Sequence, residues 1–389
     1  MEGLLGLVLS GGGARGAYEA GALRFVMEEL PRRTGIAPRV RVICGTSIGA
    51  ITGAWIGALG VQGAQRLSSI WQKMEVDHVY NFTARDLLRL PEKLFGRAKT
   101  TPVSNALFDP APLQHLMREG LPWGSLYDAL DSGRLHSFVV AATDVASGFC
   151  TLFADGVVLP SLSPTSHVVQ TRVGADHCLA SAAIPLVFPA VSLDGRYYVD
   201  GALRQNTPLS PAIALGVDRA LVIGVKRARG PQDAVPDNFV PTPAFLAGKA
   251  LNALMLDPVE EDIRRLRAMN TLLEWGQGAY PDFMARVTTE VKPYRLVKTV
   301  HLRPSEDIGR MAAESYRSHG HQLPWASRML LRAIAADEPG QEADLLSYLM
   351  FHKSHTGELE ALGYSDAASR EEELAGLFAD DQIPSPKSA

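Results

Sequence analysis

Cysteine is nearly absent. Cys44, Cys150 and Cys178 are the only three in 389 residues. An odd, widely spaced trio excludes a disulfide framework and a zinc pattern, and reduced thiols in a cytoplasm are the simplest reading. A basic excess is missing too: 38 lysines and arginines face 42 acids, a net charge of −4. That balance argues against a nucleic-acid partner, which would want a basic domain. No run approaches the ~20 apolar residues of a membrane span. The apolar stretch at residues 4–9 is too short for a signal core, and acidic Glu2 precedes it instead of a basic lead. A cytoplasmic protein, able to visit a membrane surface peripherally, is therefore expected. Calcium-loop patterns and internal repeats are absent as well, and neither a metal nor a cofactor is expected. What the chain does have is 46% apolar residues and a length that suits one large domain or two modest ones.

Residues 4–9 form a short continuous apolar run closed by Ser10 and three glycines. This reads as a strand buried on both faces, as in a parallel sheet. Residues 14–30 then place Ala17, Ala20, Gly21, Leu23, Val26, Met27 and Leu30 at helical spacing, and Pro31 is expected to end that helix. Residues 40–44 read as a second strand and 48–59 as an almost wholly apolar, buried helix. The order strand–helix–strand–helix implies an α/β domain with a right-handed crossover. Further strands are expected at 137–142, 197–199, 220–225 and 297–302. Residues 180–189 read as a helix end running into a rigid loop. Thr207 is expected to cap a helix that has Pro208 at its first position. Residues 226–243 read as a mobile loop, residues past Ser305 as helices, and 380–389 as a disordered tail.

Two segments stand where a strand would turn into a helix: Gly11-Gly12-Gly13-Ala14-Arg15-Gly16 and Gly45-Thr46-Ser47-Ile48-Gly49. A helix start offers unpaired N–H groups and a positive dipole end. Glycines let the backbone approach a ligand closely. The first segment can thus serve a phosphate or a developing oxyanion. Its spacing fits a dinucleotide fingerprint, but that fingerprint wants an acid at the end of the second strand. Here the strand ends in Cys44-Gly45-Thr46-Ser47. A Walker loop fails as well, because no Gly-Lys-Ser/Thr follows. The second segment fits a nucleophile elbow, with a strained serine at the tip of a sharp turn. A serine that merely caps the following helix is the plainer alternative. Together the two segments make the halves of a serine acyl hydrolase site, an oxyanion hole and a nucleophile.

Ser47 needs a base. An ordinary α/β-hydrolase would supply an acid and then a histidine, with its nucleophile well into the sheet; here Ser47 follows only the second strand. The ten histidines show no catalytic setting. His319, His321, His352 and His355 lie in the C-terminal helical region, where a solvated surface is the plain reading. Asp200 is the better base. It ends a strand and precedes Gly201-Ala202, so it can approach another loop closely. An Asx turn is the alternative, and Asp194-Gly195 fits that alternative better. Arg15 would brace the glycine loop through an ion pair or meet a lipid phosphate.

On these residues the chain resembles the patatin-like phospholipase family. The likeness rests on the Gly11-Gly12-Gly13-Ala14-Arg15-Gly16 segment, the Gly45-Thr46-Ser47-Ile48-Gly49 elbow and the Asp200-Gly201-Ala202 motif. Residues 180–189 and Asn206-Thr207-Pro208-Leu209 are similar as well, and the likeness covers residues 4–225. It implies a Ser47–Asp200 dyad without histidine, an oxyanion hole in the glycine segment, and hydrolysis of lipid acyl esters. It also implies a three-layer α/β/α sandwich with a mostly parallel central sheet. The expected organisation is a catalytic domain at 4–225, then a loop, cap helices and a further core strand at 226–303. A C-terminal helical extension with a disordered tail follows at 304–389. Two other functions stay open: acyl transfer to an alcohol by the same dyad, and a non-catalytic nucleotide- or anion-binding module using the glycine loop.

Arg85, Arg89, Lys93 and Arg97 recur every fourth residue, with Leu87, Leu88, Leu90, Leu94 and Phe95 between them. On a helix this is a basic amphipathic face of the kind that lies on anionic bilayers, although Pro91 divides it in two. An ordinary surface helix is the plainer reading. Residues 245–256, rich in leucine, would cap an acyl pocket or join the core. A lipid ester is the expected partner, with residues 85–97 as a candidate peripheral membrane contact; the oligomeric state is left open.

Overall fold

The structure is a computed structural model that describes residues 3–83, 85–86, 106–228, 253, 259–280, 282–286, 295–335 and 344–379. Among these, one sheet holds β1 (Leu5–Leu9), β2 (Val40–Thr46), β3 (Ser137–Asp144), β4 (Cys150–Gly156), β5 (Ser166–Gln170), β6 (Val191–Leu193), β7 (Arg196–Asp200), β8 (Arg219–Ile223) and β9 (Lys298–Leu302). Their order is β5-β4-β3-β2-β1-β8-β9, with β7 joined to β3 and β6 to β7. The central run β3-β2-β1-β8-β9 is parallel throughout. β1, β3 and β8 are buried along their whole length, which explains their near-continuous apolar sequences. Alternate residues still serve opposite faces. Leu7, Leu9, Phe138 and Val140 enter one core; Val8, Val139 and Ala141 enter the other.

Helices cover both faces, giving the expected three-layer α/β/α sandwich. α1 (Gly16–Arg24), α2 (Leu30–Thr34), α3 (Ile48–Leu59) and α4 (Val61–Gln72) precede β3. α5 (Trp123–Asp131), α6 (Ala175–Ser181), α7 (Leu209–Ala214) and α8 (Val259–Ala279) follow in chain order. α1 and α3 fill the first core and α7 the second. No described helix is long and apolar enough to cross a membrane.

Three local expectations are corrected. Pro31 does not end the first helix. A π turn at Phe25–Glu29 carries α1 into α2, with the Leu30 N–H donating to the Phe25 carbonyl. The ladder is offset there by one residue, so Pro31 near the start of α2 needs no N–H. The chain stops instead at Gly35, whose φ of 75° suits glycine. Thr207 does not cap a helix. Its hydroxyl meets Ser10 Oγ at 2.7 Å, tying the loop to the end of β1, and α7 starts after Pro208. Finally, His352 and His355 are buried, not solvated.

The C-terminal part adds α9 (Ile308–His319), α10 (Trp325–Ala335), α11 (Asp344–Leu349), α12 (Lys353–Ala368) and α13 (Glu371–Phe378). α12 packs along α1. A Cβ on Gly21 would land on the Glu360 carbonyl oxygen, and one on Gly363 on the Tyr18 carbonyl oxygen. That close approach, together with α4 on the other side, takes His355 into the interior. Most of the basic stretch 85–97, nearly all of 226–256, and the tail 380–389 lie outside the described residues.

Candidate active site

β3 brings the two candidate groups together. β2 runs along one edge of β3 as far as the Thr46–Ala141 pair. β4 occupies the other edge up to the Thr143–Cys150 pair. β7 pairs with Ala142, Thr143 and Asp144, so it must take the β2 edge, just past the point where β2 leaves. Its last residue, Asp200, sits opposite Ala142. The residue after Thr46 is Ser47, so the two chain ends face each other in one gap of the sheet.

Across that gap Ser47 Oγ donates to Asp200 Oδ2 at 2.6 Å. Ser47 has φ 54° and ψ −124° at the N-terminus of α3, and its side chain makes no cap bond. Ser47 is therefore not a side-chain cap, and its backbone is strained at a sharp strand-to-helix turn. Ser47 N–H donates to Ser181 Oγ at 2.7 Å, and Ser181 Oγ in turn donates to the Ala141 carbonyl at 2.5 Å. Ser181, at the end of α6, thus holds the elbow against β3. The family likeness of residues 180–189 covered this serine, but nothing in the segment marked its role, because a serine among alanines has no local signature. Gly49 packs so tightly on β1 that an added Cβ would stand 2.6 Å from the Leu9 carbonyl.

Asp200 is fully buried. Its Oδ1 accepts from Ala202 N–H at 2.8 Å, so it makes an Asx-type cap and reaches Ser47 with its second oxygen. The Asx-type turn thus leaves one carboxylate oxygen directed at Ser47. Thr143 Oγ1 donates to the Asp200 carbonyl at 2.9 Å and fixes its backbone. Burial pushes the carboxyl up to about 7; the bonds from Ser47 and Ala202 oppose that shift only partly.

The glycine segment lies beside this pair. A Cβ on Gly11 would stand 3.1 Å from Ser47 Cβ. Gly11 N–H donates to the Asn206 carbonyl at 3.1 Å. Arg15 N–H donates to the Gly12 carbonyl, and Gly16 N–H to the Gly13 carbonyl. Those three amides are engaged in the loop's own bonds. The N–H groups of Gly12 and Gly13 have no partner among the described residues. Gly13 has φ 56°, and a Cβ there would meet the Tyr348 carbonyl at 2.5 Å. Arg15 is buried; its Nε donates to Ser347 Oγ at 2.8 Å and its guanidinium lies over the Tyr348 ring.

Ser47 and Gly13 line a cavity in the structure. Its other walls are apolar, among them Ile51, Trp55, Trp71, Met74, Phe188 and Phe351. No group of three or more His, Cys, Asp or Glu suited to a metal occurs among the described residues.

Comparison with known proteins gives a family and a relative. A family model described as Patatin-like phospholipase matches residues 7–213. Among curated proteins, the cGAMP-activated phospholipase of Pseudomonas aeruginosa is 29% identical over 202 residues, which are 52% of this chain and 53% of that one. The chain thus spans about half the length of that relative. Among solved structures, VipD from Legionella pneumophila aligns with 96% of this chain and 67% of its own, at 12% identity and a TM-score of 0.36.

Proposed function

The chain belongs to the patatin-like phospholipase family, and from that premise we propose that it is a lipid acyl hydrolase working through Ser47 and Asp200. The observation that carries the reading is the 2.6 Å bond from Ser47 Oγ to Asp200, buried at the mouth of an apolar cavity. Asp200 Oδ2 accepts the hydroxyl proton as Oγ attacks the ester carbonyl. The free Gly12 and Gly13 amides then stabilise the tetrahedral oxyanion, where one such donor is worth about 3 kcal/mol. The positive end of α3 adds to that field. Collapse expels the alcohol or lysolipid, which takes the proton back from Asp200. Water, deprotonated by the same carboxylate, attacks the acyl-enzyme; Ser47 is regenerated and the fatty acid leaves. The cavity walls accept the acyl chain.

Ser47→Ala should lose ester hydrolysis by at least about a thousandfold while unfolding at an unchanged temperature. A fluorophosphonate probe should add to Ser47, read as a mass shift on its peptide. Full activity in the alanine variant, or labelling elsewhere only, would refute the proposal. Fatty acids released from a mixed lipid panel, identified by mass spectrometry, give the substrate class. We further propose a cytoplasmic enzyme that meets lipid peripherally through the basic stretch 85–97. Charge reversal at Arg85, Arg89 and Lys93 should then weaken co-sedimentation with anionic vesicles; unchanged binding removes that role.

A further inference from the structure

Part of the candidate site comes from the C-terminal chain, well beyond residue 213 where the family match ends. α11 and the turn after it run between the glycine loop and α4. Three ties hold this segment. Arg15 Nε donates to Ser347 Oγ at 2.8 Å, with the guanidinium 4.3 Å from the centre of the Tyr348 ring. Tyr80 Oη donates to the Leu349 carbonyl at 3.3 Å. Thr356 Oγ1, one turn further on, donates to the Trp71 carbonyl at 2.7 Å. Between these ties stands Phe351. Its ring is buried and stacked on Trp71 at 6.2 Å, and it meets Tyr80 edge-on at 6.2 Å. It lines the same cavity as Ser47.

We infer that Phe351 sets the length of acyl chain that the pocket accepts, so that the C-terminal segment acts as the specificity wall of the site. The inference rests on the acyl-hydrolase reading above. Two aromatic neighbours and a pinned backbone keep the ring from swinging aside, and packed interiors yield little to an added methylene. Each further methylene that finds apolar cover strengthens binding about fourfold. A chain long enough to reach the ring stops gaining. Position 351 therefore decides where the gain ends.

The test uses the full chain and straight-chain p-nitrophenyl esters of increasing acyl length. Phe351→Leu should move the kcat/KM optimum toward longer chains, by about fourfold for each methylene newly covered. Phe351→Trp should move it toward shorter ones. Opposite shifts are the supporting result. A ring with a purely structural role would scale all esters by one common factor in both variants, and that result overturns the inference. A second readout needs no turnover: the same changes placed in Ser47→Ala protein, with fatty acids of graded length displacing a fluorescent fatty acid. Binding selectivity that shifts in this background, while the protein that keeps Ser47 hydrolyses no ester, keeps Phe351 as the wall and sinks the hydrolase reading. Hydrolysis with neither selectivity moved sinks the inference alone.

Discussion

Asp200 accepts two hydrogen bonds and yet holds its proton up to about 7, because it is wholly buried. Only the ionised form can accept the proton of Ser47. Activity on a neutral ester should therefore fall about tenfold per pH unit below about pH 7 and level off above it. An acid limb near pH 4 in kcat/KM would show that Asp200 is an ordinary carboxylate. The same shift bears on stability. In the unfolded chain the group ionises near pH ~3.9. The folded value is higher, so its contribution to stability is fully present below ~3.9 and is lost as pH rises through about 7. Asp200→Asn removes that loss. The unfolding temperature of the variant relative to wild type should rise between pH ~4 and pH ~8, by thermal melts at both. A flat difference would contradict the burial argument. Ser47 and Asp200 were both legible from local pattern, since each closes an apolar strand beside glycine. Ser181 and Phe351 were not, because their roles arise only when distant elements cross. His352 and His355 misled for a related reason. Polar and apolar residues alternate around α12 without a clear stripe, so its buried face cannot be read from spacing.

At the level of elements, one strand edge does most to build the site. β3 receives β2 and β7 end to end on the same side, and a serine and an aspartate 153 residues apart meet there. The central parallel strands β1, β2, β3 and β8 were readable as apolar runs of the right length. β4 and β5 were not anticipated. β5 is a polar edge strand, Ser-His-Val-Val-Gln, with no fully buried residue, so it carries little hydrophobic signal. Helix crossings were equally hidden. α1 and α12 approach until Gly21 faces the Glu360 carbonyl and Gly363 faces that of Tyr18. Backbone cannot yield as a flexible side chain can. Gly363→Ala should therefore cost roughly 1–3 kcal/mol or more, although alanine is the better helix former by about 1 kcal/mol. Calorimetry should show the unfolding temperature lowered by several degrees. A raised temperature would mean that helix propensity wins and that the crossing is looser than it looks.

For the whole molecule, the question is whether the C-terminal helices are an accessory or a part of the core. Leu346, Tyr348, Leu349, Met350, Leu359, Leu374 and Phe378 are all buried, in the same cluster as Tyr18, Phe25 and Trp71. Fully burying one such aliphatic or aromatic side chain stabilises by about 1.5–3 kcal/mol. Polar ties point the same way. Glu360 accepts from Ser68 at 2.7 Å and pairs with Arg24 at 2.9 Å, and both bonds cross between regions far apart in sequence. A chain ended at Ala335 would strip the apolar side of α1 and α4 and leave Arg15 without Ser347 and the Tyr348 ring. We predict that this truncated protein is insoluble or lacks a cooperative unfolding transition, and that it fails to react with a fluorophosphonate although Ser47 and Asp200 are both present. A truncated chain that melts cooperatively and still labels at Ser47 would show that a catalytic unit forms without the helices past Ala335. The buried contacts above would then add stability without being required for the fold.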